Sequence, residues 1–324
     1  MICIDKHSRD PWFNLAADEY VLKQKTDDVF MLWESAECIV VGKHQLPQME
    51  IDLQIIDREG VPLIRRISGG GTVYHGPGNI NFSFITNESG DKINFKKFLI
   101  PIQMYLSELG VKVDITSKSN LTINGLKISG NAASVYHNRS LHHGTLLFSS
   151  DTQRLNALLK KSFQNYETKA VHSNRTEVTT ISNNLSGEIS SGFFFNGLKK
   201  KVFDYFEIQD EIAFTEEEQS VILKLSEEKY KTFAWNFGYS PDYQIHCNTD
   251  LHGENVYFLL QIKQGRVNTV ISGDGRKLEL IAILKNNLIQ VPHLRKHILE
   301  VLLPFQSRLS ENENEFNKLI NNIL

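Results

Sequence analysis

The spacing of apolar residues predicts a chain in which helices and strands follow one another. The pair Asp10-Pro11 supplies an N-cap and a proline at the first helical position, and a helical stripe runs behind it from Phe13 to Tyr20. Short apolar runs predict strands at 29–33, 38–41, 62–67, 81–86 and 141–148. The early part of the chain therefore alternates between the two kinds of element.

Helical spacing returns at 95–109, where Gly110 is the expected C-terminal stop, and again after a capping box formed by Thr215 and Glu218. Residues 164–192 are rich in Ser, Thr and Asn and predict mostly loop. Beyond a turn at 239–242, the pattern predicts two strands at 256–262 and 267–271 and helices at 277–287, at 293–303 and in the tail.

One hairpin is predicted in detail. Asn124-Gly125 favours a type I′ turn between two short strands within 121–129. The expected partners across the hairpin are Ile123 with Leu126, Leu121 with Ile128, and Thr122 with Lys127. In this register the apolar pairs share one face, so Lys127 points away from the core. Because such hairpins are antiparallel, we predict an α+β fold with a mixed, mostly antiparallel sheet flanked by helices in residues 1–243. We expect residues 244–324 to form a smaller α+β domain.

The segment from Arg65 to Asn81, RRISGGGTVYHGPGNIN, carries the strongest chemical signal. Glycine lets backbone N–H groups approach a ligand closely, and arginine beside such a run favours phosphate or carboxylate, with Arg66 as the charge partner. A tight turn is the simpler alternative, but one glycine usually suffices for a turn. Strands are predicted on both sides and no GKS or GKT ending follows. The segment is therefore neither a Walker P-loop nor a Rossmann fingerprint.

Composition narrows the class of protein. The 324 residues correspond to about two domains, and a formal net charge of -3 gives no sign of a nucleic-acid partner. The three cysteines, Cys3, Cys38 and Cys247, are far apart and predict neither disulfides nor a zinc site, which favours a reducing compartment. The N-terminus lacks the apolar stretch of a signal peptide, and no apolar run approaches the roughly 20 residues that span a bilayer. We expect a cytoplasmic protein without a membrane partner.

Several side chains with reactive groups also fit simpler roles. His142 and His143 alternate across a strand and cannot bind one ion, so no metal ligands are assigned, and His75 is expected to be structural or to line a substrate. Lys127 alone would be an ordinary surface residue, but a fixed ammonium there could bridge a carboxylate and a phosphate during adenylation. Cys38 lies in an apolar strand, which counts against a covalent thioester mechanism.

Four segments, in order, resemble motifs of lipoate–protein ligases. Residues 65–75 with Gly78-Asn79 resemble the RRxSGGGxVxH…GN motif, and residues 124–132 resemble the lysine-bearing G-x-K-[IV]-S-G-x-A motif. Residues 141–147 resemble the HHGTLL strand, and 233–238 are similar to the W-x-[FY]-G element that closes the large domain. The chain is identified as a member of the lipoate–protein ligase A family of the biotin/lipoate ligase superfamily. The resemblance is to the single-chain form with a C-terminal accessory domain.

The resemblance implies an ATP-dependent ligase with a class II biotin/lipoate ligase-like catalytic domain. Free (R)-lipoate and Mg-ATP would give lipoyl-AMP and pyrophosphate, and the lipoyl group would pass to a lysine of an E2 subunit of a 2-oxoacid dehydrogenase or of glycine-cleavage H protein. Lys127 would be catalytic, holding the lipoate carboxylate and the adenylate phosphate. By motif position, the implied ATP contacts are Arg66, Gly71, Thr72, Val73, Tyr74 and Lys127. The implied lipoate contacts are Lys127, Gly69, Gly70, Gly71, His75 and His143, with Asn79 nearby.

Other functions stay open at this point. An octanoyl- or lipoyl-transferase of the same fold would use a preformed acyl donor, and a biotin–protein ligase would carry a GRGR-type loop, which the sequence lacks. A non-catalytic module that holds lipoyl domains is a third alternative. One departure from the resemblance concerns the loop itself: the family often has Asp directly after the histidine of the first motif, where this chain has Gly76.

Overall fold

The computed structural model describes residues 1–6, 8–88, 94–116, 119–159, 165–174, 176–273 and 278–324. The chain divides into two compact units. Unit 1 consists of Met1–Lys43, Val61–Ala157 and Ser173–Thr232, and unit 2 consists of His44–Gly60, Leu158–His172 and Phe233–Leu324. Unit 2 thus contains two early segments besides the C-terminal part. The functional division into a catalytic domain (1–243) and an accessory domain (244–324) stays a prediction.

The strands of unit 1 are β1 (Ile2–Asp5), β2 (Val29–Glu34), β3 (Cys38–Val41), β4 (Leu63–Arg65), β5 (Val73–His75), β6 (Asn79–Thr86), β7 (Asp114–Ile115), β8 (Leu121–Ile123), β9 (Leu126–Tyr136), β10 (Arg139–Leu147) and β12 (Glu211–Ala213). Those of unit 2 are β11 (Tyr166–Thr168), β13 (Tyr243–Leu251), β14 (Glu254–Lys263) and β15 (Arg266–Ser272).

The α-helices, in chain order, are α1 (Pro11–Gln24), α2 (Pro47–Glu50), α3 (Leu53–Glu59), α4 (Phe95–Glu108), α5 (Thr152–Leu158), α6 (Ser191–Phe206), α7 (Glu216–Leu225), α8 (Leu278–Leu288), α9 (Arg295–Leu302), α10 (Gln306–Leu309) and α11 (Glu313–Ile323). Short 3₁₀ turns lie at Ser182–Asn184 and Leu303–Phe305, and π-helical turns lie at Ser226–Tyr230 and Ala234–Gly238. Among the described residues, no helix is both long and apolar enough to cross a membrane.

The main sheet of unit 1 confirms the predicted mixed, mostly antiparallel arrangement. In the described part of the chain its order is β12-β1-β2-β6-β10-β9-β8-β7. Only β1 pairs in parallel, with β12 and β2, and the remaining neighbours are antiparallel. A small sheet, β4-β3-β5, lies in the same unit. The triple glycine connects β4 to β5, so it lies between two strands, as predicted.

The two faces of the main sheet differ in chemistry. The apolar face carries Phe30, Phe82, Phe84 and Leu146, which pack in one core with residues of α4 and α6. On the other face, strand pairing places Trp33, Asn81 and Thr145 in one row and Met31, Ser83, His143 and Ala132 in the next. We call this second side the polar face. Helix α1 contacts it through β6 and β10.

The hairpin of β8 and β9 is present, with one correction to its register. Asn124 and Gly125 have φ values of 50° and 81°, as a type I′ turn requires. Thr122 pairs with Lys127 and Ile123 with Leu126, as predicted, but Leu121 pairs with Ser129 rather than Ile128. A β-bulge places one extra residue on β9 at this point and shifts the pairing beyond it.

Unit 2 is a smaller α+β structure with its own core. The described strands form an antiparallel sheet in the order β11-β13-β14-β15, and a turn at Gln264-Gly265 joins β14 to β15. Apolar residues of this sheet pack with α8, α9 and α11 in one buried cluster. The predicted helices of the C-terminal part are therefore present, while β13 was not predicted.

Candidate functional site

The glycine loop, residues 66–72, is held together by its own arginine. The guanidinium of Arg66 donates to the carbonyls of Gly69 (2.6 Å), Gly71 (2.7 Å) and Val40 (3.3 Å), and its Nε donates to Ser68 Oγ (2.9 Å). Burial, together with the adjacent positive charge of Arg65, lowers the pKa of Arg66 to about 10. Three hydrogen bonds within the loop and one to β3 thus use most of the guanidinium donors, while the charge still acts on the space beside the loop.

Each glycine of the triple run has a different steric environment. Gly70 has φ +86°, and a Cβ there would lie 3.8 Å from Ala132 Cβ of β9. A Cβ on Gly71 would lie 2.9 Å from Ser173 Oγ, whereas one on Gly69 would meet nothing within 4 Å. Glycine is therefore required by backbone conformation at position 70 and by close approach at position 71. The loop lies directly over β9.

Lys127 lies beside the same loop. Its Nζ is 3.4 Å from the position that a Cβ of Gly130 would take, and Val73 Cγ1 is 3.7 Å from that position. Burial and the positive charge of Arg66 lower the pKa of Lys127. Among the residues that the structure describes, no acceptor forms a hydrogen bond or ion pair with its ammonium. A partly desolvated cation next to a second cation favours an anion between them.

A chain of buried hydrogen bonds runs under the loop to α1. Ser68 Oγ is 2.6 Å from His143 Nε2, His143 Nδ1 is 3.0 Å from Asp18 Oδ2, and Lys6 Nζ is 2.7 Å from Asp18 Oδ1. We call Lys6, Asp18, His143, Ser68 and Arg66 the polar relay. Burial alone would raise the pKa of Asp18, but Lys6 and the hydrogen bond to His143 lower it to about 2. Asp18 is therefore ionised, and the path from Asp18 to Arg66 has a charge at each end.

The site residues predicted from sequence did not include Lys6, Asp18 and Ser68. Helix α1 was predicted from its N-cap pair, Asp10-Pro11, and its apolar stripe, yet Asn14, Asp18 and Glu19 are also buried. The spacing of Asn14 and Asp18 places both on one side of the helix, which is the signal that the sequence offers. No local sequence signal connects residue 6 with residue 143, because only strand pairing and the docking of α1 bring them together.

His75 and Asn79 lie on or near the polar face. The His75 ring meets the Trp33 ring edge to face, with centroids 5.6 Å apart, and burial followed by the charge of Arg66 lowers the pKa of His75 to about 3. Asn79 Nδ2 donates to Asn81 Oδ1 at 2.9 Å, while no partner for Asn79 Oδ1 is found among the described residues. Both side chains are buried beside the relay, and His75 is neutral.

Tyr74 points to the opposite side of the small sheet from Val73 and His75, so the structure does not bring its side chain to the glycine loop. Its hydroxyl donates to Glu37 Oε1 (3.1 Å), which also accepts from Arg154 Nε (2.7 Å). Burial and Glu37 raise the pKa of Tyr74 to about 12. A Cβ on Gly76 would lie 2.5 Å from the Tyr74 hydroxyl. A side chain at position 76 would therefore clash with the Tyr74 hydroxyl, so this placement of the tyrosine requires glycine there.

His142 and His143 lie on opposite sides of β10. The His142 ring packs between Phe95 and Phe98, with centroids 4.7 and 5.3 Å away, and burial lowers its pKa to about 3. His143 belongs to the relay on the polar face. Within the described ranges, no group of three or more His, Cys, Asp or Glu residues is placed to hold a metal ion.

The thiols are poor nucleophiles. Cys3, Cys38 and Cys247 are free and buried. Burial raises the pKa of Cys3 and of Cys38 to about 12, and it raises the pKa of Cys247 as well. Because the thiolate is the reactive form, none of the three is suited to carry an acyl thioester.

The fold is shared with solved lipoate ligases. A structure of P. falciparum LipL1 in complex with lipoate has a TM-score of 0.64 at 21% identity, covering 100% of this chain and 99% of that chain. A lipoate–protein ligase A bound with ATP has a TM-score of 0.63 at 24% identity, covering 74% and 100%. A bipartite ligase from Thermoplasma acidophilum, described with its E2 lipoyl domain, gives 0.63 at 24%, covering 74% and 97%. The chain has the biotin/lipoate ligase fold.

Sequence comparison shows the family. The family model of the lipoyl protein ligase A/B catalytic domain matches residues 10–206. Lipoate–protein ligase 1 of Staphylococcus aureus is 35% identical over 297 residues, covering 90% of each chain. The lipoate–protein ligase LplJ of Bacillus subtilis is 32% identical over 309 residues, covering 93% of each. The chain belongs to the lipoate–protein ligase family.

Proposed function

We propose that this protein activates free lipoate with ATP and transfers the lipoyl group to a lysine of an acceptor domain. The observation that carries the proposal is the Lys127 ammonium, which lies beside the glycine loop without an acceptor among the described residues. A site that pays to desolvate two cations, Lys127 and Arg66, is built for an anion that spans them. A carboxylate next to a phosphate is such an anion.

In the first step, a lipoate carboxylate oxygen attacks the α-phosphorus of ATP, and pyrophosphate leaves with the bonding electron pair. Negative charge grows on the α-phosphate oxygens, and Lys127 holds them and the carboxylate at short range. Arg66 contributes charge and fixes the loop. Gly71, Thr72 and Val73 line the nucleotide side of the site, and the Tyr74 side chain takes no part.

In the second step, an acceptor lysine amine attacks the lipoyl carbonyl, an amide bond forms and AMP leaves. The lipoyl tail lies along Gly69–Gly71 on the polar face, bordered by the rings of His75 and His143. Acceptors of this chemistry are lipoyl domains of E2 subunits and glycine-cleavage H protein. Mg²⁺ would enter with ATP and would help to neutralise the charge of its phosphates. The free thiols favour a reducing, cytoplasmic location.

Lipoate-dependent ATP–pyrophosphate exchange tests the first step, and the mass of an apo-lipoyl domain after incubation with lipoate and ATP tests the second. We expect exchange only with lipoate present and a mass increase of one lipoyl group. Absence of exchange would overturn the ligase proposal. A transferase that uses a preformed donor would modify the acceptor without ATP. A variant with all three cysteines replaced by Ala keeps both steps if no thioester forms.

A further inference from the structure

From Arg66 to Asp18 the hydrogen bonds of the polar relay run in one direction, and Lys6 donates to Asp18 from the other side. Arginine can only donate and an ionised carboxylate can only accept, which fixes both ends. Arg66 Nε donates to Ser68 Oγ, so the Ser68 hydroxyl is free to donate its own proton to His143 Nε2. His143 Nδ1 then carries the ring proton and donates it to Asp18 Oδ2. The relay therefore places a ring proton of His143 on Nδ1.

We propose that Asp18 is a positioning residue for the nucleotide step, because it sets the tautomer of His143 and, through Ser68, the placement of Arg66 and the glycine loop. This inference rests on the proposed function, and it adds a residue that neither the motifs nor the loop itself contains. Arg66 transmits the effect because it donates to the carbonyls of Gly69 and Gly71 as well as to Ser68.

The second carboxylate oxygen explains why residue 18 must be charged. Asp18 Oδ1 accepts from Lys6 Nζ at 2.7 Å and from Ser83 Oγ at 2.9 Å, so it faces donors only. In Asp18→Asn, the amide oxygen turns to Lys6 and the amide N–H₂ turns to His143. His143 Nδ1 must then accept, and the ring proton moves to Nε2, as happens when the aspartate of a Ser–His–Asp triad becomes asparagine. Ser68 Oγ would receive two donors, and its own proton would lose the acceptor.

Few other groups around His143 could set the tautomer of its ring. The titratable side chains that interact electrostatically with the ring are Asp18 on α1, His75 after the glycine loop and His142 on the same strand. Of these, Asp18 alone forms a hydrogen bond with His143 in the described structure. The tautomer is therefore decided at residue 18.

Two measurements on full-length protein test the proposal. Imidazole ¹⁵N NMR reports the tautomer of His143, and steady-state kinetics report KM for ATP, KM for lipoate and kcat. We expect the Nδ1–H tautomer in the unsubstituted protein and the Nε2–H tautomer in D18N. KM for ATP rises by about 10- to 100-fold in D18N, a range typical of lost outer-shell support and small misplacements, and KM for lipoate changes less.

Ser83→Ala is the matched control, because it removes another hydrogen bond to the same carboxylate without reversing the relay. We expect S83A to keep the tautomer and to change KM for ATP by less than about 3-fold. The proposal is overturned if D18N keeps the Nδ1–H tautomer, or if S83A and D18N raise KM equally. If D18N does not fold, Ser68→Ala breaks the relay at its loop end, and an unchanged KM for ATP there also overturns it. Loss of exchange in the unsubstituted protein would instead contradict the proposed function.

Discussion

The apolar face of the main sheet stacks phenyl rings, whereas the polar face of the same strands buries a lysine, an aspartate and a histidine. Phe84 lies between Phe30 and Phe98, with centroids 4.8 Å from each. On the other side, Lys6 and Asp18 form an ion pair that is almost fully buried. Apolar packing is stabilised by the apolar area that it buries, and it tolerates substitution by side chains of similar shape. A buried charge is tolerated only with its partner in place. One face holds the sheet together and the other prepares it for chemistry.

The largest expected effect is a loss of activity without a loss of stability, at Lys127. Lys127→Ala removes the cation that the reaction uses, and we expect lipoate-dependent pyrophosphate exchange to fall by about 10²- to 10³-fold. The melting temperature should stay the same or rise, because burial and Arg66 already disfavour the ammonium. Exchange kinetics and thermal unfolding check both statements. A parallel loss of stability and activity would contradict the role of Lys127 as a site residue.

The buried ion pair provides the next largest effect. Lys6→Met leaves Asp18 buried without its cation and should cost about 3–5 kcal/mol of unfolding free energy. The double variant K6M/D18N removes both charges and should be more stable than K6M alone. Urea unfolding of the single and double variants measures this. A double variant less stable than K6M would show that the two charges do not depend on one another.

Acid titration of stability tests the same pair. Because the folded-state pKa of Asp18 is lowered, its contribution is fully present above the unfolded value of 3.8 and is lost as the pH falls towards about 2. The unsubstituted protein should therefore lose stability in this window more steeply than D18N. Equal slopes would mean that other carboxylates govern acid unfolding.

A substitution on the apolar face should lower stability and leave activity unchanged, the opposite of what we expect for Lys127→Ala. Phe84→Leu shortens a fully buried side chain between two rings, and we expect a loss of about 1–2 kcal/mol. Below the melting transition, KM and kcat should match the unsubstituted protein. Thermal unfolding and exchange assays on the same preparation test this. A changed KM for ATP would show that packing on this face also sets the loop.

The smallest effects are expected within the triple glycine, where three Ala variants form their own series. Gly71→Ala meets Ser173 and should raise KM for ATP by about 10-fold, Gly70→Ala is strained at φ +86° and should cost less than that, and Gly69→Ala enters open space. Steady-state kinetics of the three variants give the order. Equal effects would mean that flexibility of the run, rather than fit at each position, governs binding.

Features of the fold and the site that depend on residues close together in sequence could be predicted. Those that depend on residues far apart in sequence could not. The Asn124-Gly125 hairpin followed from turn chemistry, but its bulge did not. Helix α6 was missed because three consecutive phenylalanines hide the spacing of its buried residues, Phe194, Leu198 and Val202. The glycine loop and Lys127 were identified from motifs. Asp18 and Lys6 were not, because only strand pairing and the docking of α1 bring them to His143.

The adjacent histidines of β10 have a consequence for folding accuracy. Side chains alternate along a strand, so a slip of one residue would place His142 in the relay and His143 among the phenyl rings. Both positions accept an imidazole, and shape alone would discriminate weakly between the two alignments. The slip would also move Gly144 and Leu141 to the wrong sides. Those neighbours therefore select the correct strand alignment, and a single-residue deletion in β10 should be far more harmful than exchanging one buried hydrophobic residue for another.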